Sequence, residues 1–157
     1  MSGITQSMCA SFEQELLQAV HNFTNGTGHV FKIALIKGSP TGTYDAASTN
    51  YSNITGNSDE ATATTGYTAG GATLSANITP ASSGSGSAPH AYTSWTVNPT
   101  WTVTGTLSTA GAMIYNSSAS NKAVGVLSFG GTQSVTAGTF TITLPANAAG
   151  TSILQLN

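Results

Sequence analysis

The sequence predicts a mainly β protein, a single β-sandwich of jelly-roll-like type with one N-terminal α-helix packed against it. Three observations carry this prediction. After residue 29, short apolar and β-branched runs recur between turn residues at intervals of roughly eight to twelve positions. Several runs alternate, as in Phe140-Thr141-Ile142-Thr143-Leu144, where the apolar residues face one side and the threonines the other. Only one segment, near the N-terminus, has helical spacing.

That segment predicts a helix over 5–24. Met8, Phe12, Leu16, Val20 and Phe23 form its apolar stripe, widened by Cys9, Leu17 and Ala19. Thr5 or Ser7 stands in position to cap its start, Glu13 and Glu15 face water, and Asn25, Gly26 and Gly28 stop it. The sandwich then occupies 29–157. Its first strand is 30–36, ended by Gly38, Pro40 and Gly42. Residues 43–66 read as a long polar excursion with at most an edge strand over 51–55, and excursions of that length are usually functional. A strand over 72–78 follows, then a Gly/Ser-rich loop over 82–87. Further strands are expected at 90–97, 100–107, 110–116, 122–129, 133–136, 138–144 and 151–156. No internal repeat or linker divides the chain, so 1–157 reads as one domain.

Charge is scarce. The 157 residues include three lysines, five carboxylates and no arginine, 5% in all, where about a quarter is usual. Lys32, Lys37 and Lys122 are scattered, so no basic stripe exists to neutralise phosphates, and nucleic acid is not an expected partner. Cys9 is the only cysteine. It cannot form an intrachain disulfide and reads as a small buried apolar residue. The chain opens without a cationic segment leading into an apolar run, and no apolar stretch approaches a membrane span. These features predict folding in a cytoplasm, with no membrane partner.

Reactive constellations are equally scarce. His21, His29 and His90 lack metal-ligand spacing, and His21 lies near the predicted helix end, where the dipole favours an imidazolium. Ser83-Gly84-Ser85-Gly86 only partly matches a nucleophile elbow. Asp59 and Glu60 adjoin in a polar stretch and read as a solvated turn. The expectation is a chain with no catalytic residue, metal or cofactor. Trp95 and Trp101 flank a turn containing Asn98 and Pro99, with Tyr92 nearby. Such aromatics anchor a core or a subunit interface; if exposed, Trp95 and Trp101 would instead stack on sugar rings together with Tyr44 and Tyr51.

The order of segments resembles a family of small tailed-bacteriophage virion proteins. The resemblance lies in Ile4-Thr5-Gln6-Ser7-Met8-Cys9-Ala10-Ser11-Phe12, Phe31-Lys32-Ile33-Ala34-Leu35 and Gly66-Tyr67-Thr68-Ala69-Gly70-Gly71-Ala72-Thr73-Leu74. It continues in Gly111-Ala112-Met113-Ile114-Tyr115-Asn116-Ser117, Asn121-Lys122-Ala123-Val124 and Thr136-Ala137-Gly138-Thr139-Phe140. The chain departs at Ala110 and Ser128, where members often carry an arginine and an aspartate. The resemblance implies a virion structural protein, read as a capsid cement or decoration protein assembled in the host cytoplasm. Such a protein binds the outside of the head and bridges major capsid subunits. Low charge gives little colloidal repulsion, which adds the expectation of a homo-oligomer, a trimer before a dimer. Tyr44, Tyr51, His90, Tyr92, Trp95 and Trp101 are the candidate interface residues, with the loops at 43–66 and 82–89 or the helix as contact elements. The alternative is a tail-fibre or tail-adaptor component that binds a host glycan.

Overall fold

The computed structural model describes residues 3–62, 66–75, 77–84 and 90–156. In chain order the elements are β1 (Ser7–Met8), α1 (Ala10–Leu17), β2 (Phe31–Lys37), α2 (Ser52–Gly56), β3 (Ala72–Leu74) and β4 (Ala81–Ser83). They continue with β5 (His90–Thr93), β6 (Thr100–Asn116), β7 (Lys122–Thr141) and β8 (Leu154–Leu156). The protein is mainly β, with two antiparallel sheets and two helices. The larger sheet runs β1-β7-β6-β2-β3 and the smaller β4-β5-β8.

The β6–β7 ribbon dominates. The expected strands at 100–107 and 110–116 are one continuous strand, and so are those at 122–129, 133–136 and the start of 138–144. The expected breaks are irregularities within the ladder. Gly111 pairs with Ser128 and Thr109 with Gln133, so Phe129–Thr132 bulges out opposite Ala110. Gly130 and Gly131 carry φ of 74° and 155° there, which suits glycine. A second irregularity lies between Val103 and Thr106, opposite Ala137 at φ 47°. At the hairpin tip Ser120 and Asn121 are left-handed, and the Asn116 Oδ1 accepts the Ser118 and Ala119 amides.

β2 lies between β6 and β3 and is apolar almost throughout. Phe31, Ile33, Ala34, Leu35 and Ile36 are all fully buried, as expected for a strand covered on both faces. Each larger side chain among them contributes about 1.5–3 kcal/mol by leaving water. β3 pairs only with Phe31–Ile33. The rest of that edge is closed by residues 59–61, through Lys37 N–H to Asp59 O at 2.8 Å and Ala61 N–H to Leu35 O at 2.9 Å. The buried apolar side chains form one cluster reaching from Ile4 to Leu154.

Three expectations fail. The N-terminal helix covers Ala10–Leu17 and not 5–24. Neither Thr5 nor Ser7 caps it; Cys9 holds the N-cap without a side-chain bond. Beyond Leu17, Ala19 turns left-handed, and Asn22 organises a local loop by accepting the Thr24 amide on Oδ1 and the His29 amide on its carbonyl. Of the expected stripe, Phe12 is buried on the helix and Phe23 is buried from the loop that follows it, whereas Leu17 is exposed. Second, residues 51–55 form no edge strand: a second helix, α2, stands there and buries Ile54. Third, β5 stops at Thr93, β3 at Leu74, and β8 begins only at Leu154. Part of the Gly/Ser-rich loop, 85–87, lies outside the described residues.

Candidate functional site

Five of the eight charged side chains gather, with tyrosines and histidines, into three inward-facing networks. In the first, Asp59 is fully buried on the chain that closes the β2 edge. Its carboxylate pairs with Lys37 Nζ at 2.8 Å and accepts the Tyr44 hydroxyl at 2.6 Å. It also accepts the Thr41 and Gly42 amides at 2.9 and 2.7 Å. Burial pushes the Asp59 carboxyl up, but Lys37, Tyr44 and the two amides together hold it far below the carboxylate range. Asp59 is therefore no solvated turn residue; it pins the 38–46 segment to the sheet edge.

Glu60 pins the other side. Its carboxylate accepts the Tyr51 hydroxyl at 2.5 Å, the Tyr67 hydroxyl at 2.7 Å and the Gly70 amide at 2.6 Å. Tyr51 stacks on Tyr115 at 4.6 Å, and the Tyr115 hydroxyl donates to the Gly70 carbonyl. Burial, then the Glu60 charge, pushes Tyr115 up to about 12. Tyr51 and Tyr67 shift in the same direction, so all three remain neutral donors. Beside this cluster Gly71, at φ 70°, lies so close to β2 that an added Cβ would meet the Ile33 carbonyl at 1.9 Å.

The third network was not legible as a unit. Glu15 is buried, contrary to the expectation that it faces water. It accepts His21 Nε2–H at 2.8 Å and pairs with Lys122 Nζ at 2.5 Å. The Asn116 Nδ2 group lies 2.9 Å from both His21 Nδ1 and His29 Nδ1. Because the Asn116 Oδ1 is committed to two backbone amides, its NH₂ must donate, and each Nδ1 must accept. Both imidazoles then carry their proton on Nε2. Burial lowers the His21 pKa, and this outweighs the opposite pull of Glu15. His21 thus sits in the fold as a neutral ring, not the dipole-stabilised cation the sequence suggested. Burial pushes the Glu15 carboxyl up, but the bonds from Lys122 and His21 outweigh it and hold it below its usual range.

The candidate interface residues separate into two groups. Tyr44, Trp95 and Trp101 are buried in this chain. Tyr44 serves Asp59, Trp95 donates Nε1–H to Asn77 Oδ1 at 2.8 Å, and Trp101 packs on Tyr67 and Phe140. None of the three offers a face to a sugar, so the proposed glycan platform loses all but Tyr51. Tyr51, His90 and Tyr92 remain partly exposed. Residues 63–65 and 85–89 of the two candidate contact loops lie outside the described residues.

Cys9 is fully buried. Burial, then the charges of Asp45 and Glu15, pushes its thiol up to about 12, which leaves it unreactive. Among the described residues no group of three or more His, Cys, Asp or Glu side chains is placed to hold a metal, and no helix is long and apolar enough to cross a membrane. Ala110 is buried beside Gly111, the ladder partner of Ser128, so the two positions where the chain departs from the resembled family are near neighbours. Comparison with family models, curated proteins and solved structures finds no match to this chain.

Proposed function

We propose that this chain is a virion structural protein of a tailed bacteriophage, a cement or decoration protein on the outside of the head that bridges major capsid subunits. One observation supports it most. Five of the eight charged residues are drawn into internal ties, Lys37 with Asp59, Lys122 with Glu15, and Glu60 with its tyrosines. The outer face of the ribbon is left to hydroxyls and methyls, with cross-strand threonine pairs at Thr100–Thr141 and Thr106–Thr136. Such a surface favours permanent contact through shape and apolar burial over charge-steered capture. The segment resemblance points the same way. We also read the two sheets as layers of a sandwich in the jelly-roll style, a rigid slab suited to lying across a shell.

In this reading the partners are the major capsid protein and further copies of the chain, and binding to the assembled lattice stabilises it by linkage. Many copies acting together supply avidity. Cryo-electron microscopy of the virion tests this. Density for the chain on the outer shell, in numbers comparable with the major capsid protein, is the expected result. Density confined to the tail, or none, would overturn it.

A further inference from the structure

Asn25-Gly26 is the one Asn-Gly pair in the sequence, and the fold sets it at the turn of a closed loop. His29 N–H donates to the Asn22 carbonyl at 2.7 Å and Gly28 N–H to the Thr24 carbonyl at 2.8 Å, which folds residues 22–29 back on themselves. The Asn25 amide donates to Thr79 Oγ1 at 3.0 Å, so this residue is tethered through its own backbone. The Asn25 side chain and Gly26 stay outside these ties. Both residues are exposed. Among the described residues nothing bonds the Asn25 carboxamide or the Gly26 N–H. Gly26 stands at φ 80°, and an added Cβ there would meet nothing within 4 Å.

Gly26 has no side chain to hinder the approach of its nitrogen, and asparagine amides are thermally labile. Solvent base removes the Gly26 amide proton, and the nitrogen attacks Asn25 Cγ. The new N–Cγ bond closes a succinimide ring as the Cγ–Nδ2 bond breaks. Nδ2 takes a proton from water and leaves as ammonia. Water then opens the ring at one of its two carbonyls. Opening at Cγ gives aspartate; opening at the main-chain carbonyl gives isoaspartate, whose backbone runs through the side chain. No electrons are transferred to or from the chain, and water is the only co-reactant.

The same attack is held back at the other asparagines. A bonded N–H gives up its proton less readily, and a bonded carboxamide must break free before it can turn. Asn57, followed by the small Ser58, donates from Nδ2 to the Tyr44 hydroxyl at 3.3 Å and the Asn53 carbonyl at 3.1 Å. The Ser58 N–H donates to the Thr55 carbonyl at 3.0 Å. Asn22 accepts the Thr24 amide on Oδ1 and precedes the bulky Phe23. Asn121 is exposed, but the Lys122 N–H that follows it donates to the Ala119 carbonyl at 3.1 Å.

We propose that Asn25 is a site of spontaneous deamidation in the native chain. Its product adds a negative charge to a chain of formal net charge −2, and the isoaspartyl form also adds a methylene to the backbone of the 22–29 loop. The proposal does not rest on the virion reading and is tested on the chain alone.

The full chain is incubated at pH 8, native or in denaturant, then cleaved after lysine and followed by mass spectrometry. The fragment 1–32 holds both Asn22 and Asn25, and tandem fragmentation tells them apart. Expected in the native chain is conversion at Asn25 before any other asparagine, with aspartyl and isoaspartyl products resolved by chromatography. The native rate at Asn25 should lie within about tenfold of the denatured rate, a small difference in barrier, whereas Asn57 should convert in denaturant and not in the native chain. Asn25→Gln, which must close a larger ring, should abolish the fast conversion, and Gly26→Ala should slow it at least about tenfold. An Asn25 that reacts in denaturant but stays intact in the native chain would overturn the proposal. Native conversion of Asn22 or Asn57 at the same rate would also overturn it, as would an undiminished rate in G26A.

Discussion

Phe129 and Phe140 lie on one continuous strand, yet their ring centroids stand 6.0 Å apart. At about 3.3 Å per residue, a straight strand would separate their Cα atoms by roughly 35 Å. The ribbon must therefore curl back on itself. The Phe129–Thr132 bulge and the irregularity opposite Ala137 supply the bends, and Trp101 packs on Phe140 from β6. A single hairpin thus supplies strand surface on more than one side of the core.

The bend predicts a specific glycine dependence. An added Cβ at Gly130 or Gly131 meets nothing within 4 Å, so any loss on substitution comes from backbone strain alone. Gly130→Val combined with Gly131→Val should cost about 2–4 kcal/mol, at roughly 1–2 kcal/mol per forced left-handed residue. Urea unfolding should show a lower midpoint with an unchanged slope. An unchanged midpoint would mean that these two backbone angles do not hold the curl.

Asp59 is expected to be the costliest carboxylate to remove. Asp59→Ala leaves the Thr41 and Gly42 amides and the Tyr44 hydroxyl without their acceptor. The expected loss is about 3 kcal/mol, whereas Glu13→Ala, at an exposed helix position, should lie within about 0.5 kcal/mol of the parent. Denaturant melts of the two variants check this contrast. The same carboxylate adds to acid lability. Its folded pKa is depressed, so its contribution is complete above its ordinary value of 3.8 and is lost as pH falls below it.

His21 predicts a second pH dependence at milder acidity. Its folded pKa is lowered from an ordinary value of 6.5, with Glu15, Lys122 and His29 as the neighbouring titratable groups. As pH falls through 6.5 the unfolded chain takes up a proton that the folded chain refuses. Stability is therefore full above about pH 6.5 and declines below it. Thermal melts between pH 7.5 and 5 should show the decline. His21→Gln, although less stable throughout, should lack that part of the slope.

Cys9 should resist chemistry until the chain unfolds. With its thiol buried and pushed up to about 12, iodoacetamide at pH 8 should label it slowly in the native protein and quickly in denaturant. Mass spectrometry reads both rates, and equal rates would contradict the burial.

The apolar periods of 2 and near 3.6 made the core legible. Phe12, Phe31, Ile33–Ile36, Trp101 and Val103 are buried as their patterns imply, whereas Leu17, read onto the same helical stripe as Phe12, is exposed. The gap expected between 129 and 133 falls on the bulge that holds Gly130 and Gly131. What they interrupt was not legible, because a bulge and a turn use the same residues and only the pairing of the opposite strand distinguishes them. The polar networks were hidden for a related reason. Glu15, His21, Asn116 and Lys122 come from separate elements, and nothing local marks an acid as one that will be buried. Adjacent acids such as Asp59 and Glu60 look solvated in sequence, yet here they tie opposite sides of one strand edge.

The central claim is that this molecule binds through neutral surface and not through charge. Washing purified virions in about 1 M NaCl, where the screening length falls to roughly 3 Å, removes exposed ionic attraction. The chain should stay on the particles, at the same ratio to the major capsid protein as in low salt. Release of the chain into the supernatant at high salt, with retention at low salt, would contradict the account.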